Sequence, residues 1–105
     1  MTYYQKLTEF IHSEFPEKAK LLSESDLLER IEQDIQIARE YGFDTEKNGA
    51  KFVDLLWRVA PDFYENQAYS WAEGILSNDE LGPDQKISLL RDAYAHHCAF
   101  KVQGD

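Results

Sequence analysis

Apolar residues recur along this chain at intervals of three and four, and no stretch shows the strict alternation of a half-buried strand. The pattern predicts an all-α protein. Tyr3, Leu7, Phe10, Ile11 and Phe15 mark a first helix over roughly 3 to 15, with Thr2 as its cap and Pro16 as its stop. Pro16 suits the first position of a following turn, so a short helix over 17 to 22 is expected to close over the core with Ala19, Leu21 and Leu22.

The second long helix is expected to start near Asp26, with Ser25 as cap and Asp26 and Glu29 favoured by the helix dipole. Leu27, Leu28, Ile31, Ile35, Ala38 and Tyr41 form its apolar stripe, and Glu29, Arg30, Glu32, Asp34, Arg39 and Glu40 mostly take the other side. Gly42 ends it in a left-handed turn that lets Phe43 fold back. Thr45 caps a third long helix over 46 to 60, stopped by Pro61 and apolar round much of its circumference. Such a helix belongs at the centre, covered by the others.

Residues 61 to 70 combine turn-formers with Phe63, Tyr64 and Tyr69, which reads as a structured loop pinned by its aromatics. Ser70 is expected to cap a short helix over 71 to 76, whose inward face is Trp71, Ile75 and Leu76. Pro83 with Asp84 opens the last helix, where Ile87, Leu90, Tyr94, His97 and Cys98 share a face to about Phe100, and residues 103 to 105 are expected to fray. The expected fold is one domain, a compact all-α bundle of about five helices around a central apolar helix.

Composition agrees: 105 residues that are 43% hydrophobic and 13% aromatic can bury a core without disulfides. Charge narrows the partners. Twenty acidic residues against eleven basic ones leave −9, which repels phosphate backbones and anionic membranes, so neither nucleic acid nor membrane is expected as a partner. The acidity is uneven: residues 1 to 22 are neutral, 23 to 49 carry −5 and 50 to 105 carry −4. A single cysteine and no basic-then-apolar leader point to the cytoplasm.

Catalytic chemistry finds little support. His96, His97 and Cys98 are adjacent, so on a helix they point about 100° apart and do not converge on one metal ion. His97 and Cys98 read as a core-edge pair and His12 as a solvated or capping histidine. Glu29 with Glu32 and Asp79 with Glu80 lie in charged runs typical of solvated faces. The glycines are isolated, with no phosphate-cradling loop. No enzyme activity, cofactor or metal is expected. Aromatics are a better lead, because Trp and Tyr anchor protein interfaces. Trp57, Phe63 and Trp71 are expected in the core, whereas Tyr64 and Tyr69 divide evenly between core and surface. Arg58 is expected to hold a loop carboxylate such as Asp62, or to meet a partner.

The order Ile35, Ala38-Arg39, Tyr41-Gly42-Phe43, Thr45-Glu46-Lys47, Ala50-Lys51-Phe52-Val53, Pro61-Asp62-Phe63, Trp71-Ala72 and Ile75-Leu76 resembles a family of small helical bacterial proteins. These are encoded beside type VI secretion spike, PAAR-type tip and effector genes. The likeness covers about residues 31 to 77, with Ala60 where the family usually has glycine. It implies a non-enzymatic partner of a secreted effector or its spike. The first expectation is an effector-associated adaptor or chaperone, and the second an immunity protein that neutralises a cognate toxin. A structural homo-oligomer, with surplus aromatics forming a homodimer face, is a further alternative. The expected docking surface draws on Glu32, Arg39 and Tyr41 of the second helix and on Asp62, Tyr64 and Tyr69 of the loop, with Arg58 beside them.

Overall fold

A computed structural model describes the backbone of residues 2–104 and the side chains of residues 2–97. Among the described residues there are six α-helices, one 3-10 turn and no strand: α1 Tyr3–Glu14, α2 Pro16–Ala19, α3 Glu24–Glu40, α4 Glu46–Arg58, the turn Gln67–Tyr69, α5 Ser70–Leu76 and α6 Pro83–Gly104. The bundle measures 35 × 35 × 20 Å, about two helix diameters thick. No described helix is long and apolar enough to cross a membrane.

The caps explain most boundaries. Thr2 and Gln5 form a reciprocal capping box, with Thr2 Oγ1 accepting from the Gln5 backbone N–H at 3.2 Å and Gln5 Oε1 from the Thr2 N–H at 2.9 Å. Ser23, and not Ser25, caps α3: its Oγ accepts from the Asp26 N–H at 3.1 Å, so the helix begins two residues earlier than expected. An extended residue is needed at the cap, and Ser23 has that backbone while Ser25 already lies in the first turn. At the other end Gly42 adopts φ +89°, and the Phe43 N–H reaches the Ala38 carbonyl at 2.9 Å while the Gly42 N–H reaches that of Arg39 at 3.0 Å. This pair of bonds is the Schellman geometry, and it drives Phe43 into the core.

Thr45 caps α4 as expected, through the Asn48 N–H at 3.1 Å. The helix is central: α1, α3 and α6 all pack on it, and Phe52, Val53, Leu55, Leu56 and Trp57 are buried along it. It ends at Arg58, two residues short of the expected limit. Ser70 does not cap α5; it is the first helical residue, and Asn66 caps the preceding 3-10 turn instead.

Three apolar assignments change. Leu28 is 41% exposed and Leu21 is 80% exposed, because α3 buries the stripe Leu27, Ile31, Ile35 and Ala38, one residue round from Leu28. Helix α2 also stops at Ala19, leaving Leu21 beyond its inward turn. Ala72 joins Leu76 in the core of α5, with Trp71 and Ile75 partly buried against it. Helix α6 runs past Phe100 to Gly104. Asp105 and the side chain of Cys98 lie outside the described residues.

Candidate functional site

An aromatic column ties the end of α3 to α4, the 61 to 70 loop and α5. Ring centroids are 5.2 Å apart for Phe43 and Phe52, 5.5 Å for Phe52 and Phe63, and 6.4 Å for Phe63 and Trp71. Trp57, Phe63 and Trp71 are therefore packing residues, as their positions suggested. Trp71 keeps one cost: among the described residues its buried Nε1–H has no hydrogen-bond partner.

Tyr41 and Tyr64 sit at the edge of this column. Their rings meet edge to face at 5.5 Å, and each also approaches Phe52, at 6.1 and 6.4 Å. Both are partly exposed, and with Glu65, Glu73, Leu76 and Ser77 they line a notch of about 310 Å³. Burial raises the pKa of both phenols above the usual 10.0, and nearby carboxylates add to it: Glu65, Glu40 and Glu73 for Tyr41, and Glu65, Asp62 and Glu40 for Tyr64. Two neutral phenols within a ring of negative charge can hold a cationic group against aromatic edges and carboxylates.

The other expected surface residues are dispersed. Asp62 lies in the loop beside this site and accepts from Asn66 Nδ2 at 3.3 Å. Glu32 and Arg39 are exposed on one side of α3, two turns apart. The Tyr3 hydroxyl donates to the Glu46 carbonyl at 2.8 Å, and its pKa is pushed up to about 12 by burial, with Glu46 and Tyr4 adding to it and Arg39 opposing. Tyr69 packs instead on Trp71 and His97, with centroids 6.2 and 6.1 Å away. His97 thus stands at the core edge, while His12 pairs with Glu24 at 3.3 Å on the surface.

Arg58 does not hold Asp62. It bonds Asp54, one helical turn back, with Nη2 to Oδ1 at 2.8 Å, and its guanidinium lies 5.0 Å over the Phe15 ring. Helical i, i+4 spacing places that carboxylate beside it, whereas Asp62 turns away with the loop after Pro61. A second pair mirrors it. Arg30 Nε donates to Asp34 at 3.1 Å, Trp57 Nε1–H donates to the same carboxylate at 2.9 Å, and the Arg30 guanidinium lies 4.6 Å over Trp57. Phe15 and Trp57 stack at 6.2 Å, so two arginines clasp two aromatic rings. Lys18 donates to the Trp57 carbonyl beside them. Asp34 was expected among the solvated charges, yet it is 3% exposed, because the Trp57 indole reaches across to it.

The notch residues that sequence reasoning missed are Glu65 and Glu73. Glu73 stands three and four residues before Leu76 and Ser77, a one-face spacing on α5 that was available. Among the described residues no group of three His, Cys, Asp or Glu side chains converges as metal ligands would.

Fold and site together define an acidic helical bundle with a concave aromatic and carboxylate notch. Comparison with known proteins finds no matching family model, curated protein or solved structure.

Proposed function

We propose that this chain is a non-enzymatic protein-binding module, an effector-associated adaptor or chaperone of a bacterial type VI secretion system. It docks a Lys or Arg side chain of its partner into the Tyr41–Tyr64 notch. The observation that carries this reading is that edge-to-face tyrosine pair, partly exposed and ringed by Glu40, Glu65 and Glu73 on a rigid aromatic column. Preorganised aromatics lose little conformational entropy on binding and are common anchors of interfaces. The secretion-system part rests on the resemblance. Its motif residues Tyr41, Gly42, Thr45, Phe52, Phe63 and Trp71 form one connected unit of caps and stacked rings, which supports a shared scaffold.

An immunity protein is the second reading, favoured by the net charge of −9, which suits a basic toxin and speeds association at low salt. The test is titration of the neighbouring gene's product against the wild type and against Glu65→Lys with Glu73→Lys. Both glutamates are exposed, so the fold is retained and affinity should fall about tenfold or more. Unchanged affinity would remove the notch from the interface. Co-expression then separates the roles: an immunity protein abolishes toxicity, whereas an adaptor is needed for export and leaves toxicity intact.

A further inference from the structure

The central helix is covered on most sides, but one stripe stays open. Lys47, Ala50, Lys51 and Asp54, three and four residues apart on α4, face a groove of about 430 Å³ flanked by α1 and by Arg91 of α6. Its floor is apolar, built from Tyr3, Leu7 and Phe10 of α1 with Ala50. Its rim is cationic: Lys6, Lys47, Lys51 and Arg91. Among the described residues, none of these four makes a side-chain ion pair, hydrogen bond or ring contact.

That sets them apart from Lys18, Arg30, Arg58 and Lys86, each of which bonds a carbonyl or carboxylate of its own chain. In a chain of net −9 with only 11 basic residues, four unpaired cations from three helices surround one apolar floor. Lysines commonly lay their stems over apolar surface, but that habit does not gather them at one groove. Of the two acids in the lining, Asp54 is already held by Arg58, and Glu46 stands at the α4 start. Beyond Lys51 and Arg91 the surface continues to Asp84 and Asp92, which ends the positive stretch.

We propose that this groove docks an acidic amphipathic helix of a second protein. Its apolar side chains lie on Phe10 and Ala50, and its carboxylates meet Lys6, Lys47, Lys51 and Arg91. Charge complementarity selects an acidic occupant. Shape selects a helix: the open stripe runs two turns, about 10 Å, along α4, and the channel lies between helices whose side-chain ridges receive another helix. The proposal rests on the protein-docking reading for the nature of its occupant. It supplies a second face, opposite in charge to the notch, as an adaptor joining two proteins requires.

The test uses a fluorescein-labelled amphipathic peptide of about 15 residues, the length at which an isolated helix begins to be stable. It carries Leu at helical spacing flanked by Glu, and the control peptide replaces every Glu with Lys. Anisotropy should show the Glu peptide binding the full chain and the Lys peptide failing to bind at the groove. Affinity for the Glu peptide should fall about tenfold or more in Lys51→Glu with Arg91→Glu. Ala50→Trp, which fills the groove without changing charge, should give a similar loss with helicity retained. Equal binding of the Glu peptide to all three proteins, or binding of dodecanoate but not the peptide, would overturn the proposal. Glu65→Lys with Glu73→Lys should leave Glu-peptide binding intact, so failure of the notch and failure of the groove are read separately.

Discussion

The cations around α4 fall into two regions with opposite fates. At its C-terminal end, Arg30 and Arg58 are locked, each on an aspartate one turn away and each over an aromatic ring. Nearer its N-terminal end, Lys47, Lys51 and the facing Lys6 and Arg91 stand over apolar surface with no partner among the described residues. In the locked group desolvation sets the demand for partners: Asp34 is buried, and its charge needs Arg30 and the Trp57 N–H. The open group has no such demand on it. Arginine also suits the first setting, because its planar guanidinium bonds a carboxylate and stacks on a ring at once. One region contributes to stability, and the other is the region we propose for docking.

Mutation should separate the two regions by size of effect. Asp34→Ala strands the Trp57 indole N–H and the Arg30 charge, and should cost about 3 to 5 kcal/mol in urea unfolding; a cost near zero would mean water already reaches the site. Next comes Arg58→Ala, which leaves Asp54 nearly buried and unpaired and uncovers Phe15, for a loss of about 1 to 3 kcal/mol. Asp34→Asn should be milder than either, since an amide oxygen still accepts from the indole.

That variant also reads out the pH dependence. Burial raises the pKa of Asp34, against the lowering effects of Arg30 and the Trp57 N–H. The folded state then binds this proton more tightly than the unfolded state. Its stabilising contribution is complete below the unfolded value of about 3.9 and is lost as pH rises through the raised folded value. Measured by urea unfolding from pH 3 upward, wild-type stability relative to Asp34→Asn should therefore decline with rising pH. A rise would mean that the arginine and indole outweigh desolvation. Smallest of all, Lys51→Ala and Arg91→Ala should each change stability by less than about 0.5 kcal/mol; a larger loss would place them with the locked group.

Much of the fold was legible because local signals stated it. Thr2, Gly42, Thr45 and Pro83 mark helix ends through chemistry confined to a few neighbouring residues, and the three- and four-residue spacing of apolar positions identified α4 as the covered helix. Where two residues offered the same local chemistry, as Ser23 and Ser25 do, the choice was not legible, since only the extended backbone at Ser23 decides it. The notch was half visible: Tyr41 and Tyr64 were named, but nothing local says that two residues 23 positions apart meet ring to ring.

By itself, then, the amino-acid order determined an all-α bundle, its main helix boundaries and the residues of its aromatic core, since these follow from interactions over three to five positions. Tertiary structure alone decided which charges meet a distant aromatic ring. Asp34 and Glu32 look alike in a helical repeat, yet the Trp57 indole reaches only one of them, and Lys51 and Arg58 differ because the Phe15 ring comes under the second. Such outcomes depend on contacts between distant segments, where desolvation sets the energy and no short-range pattern records it.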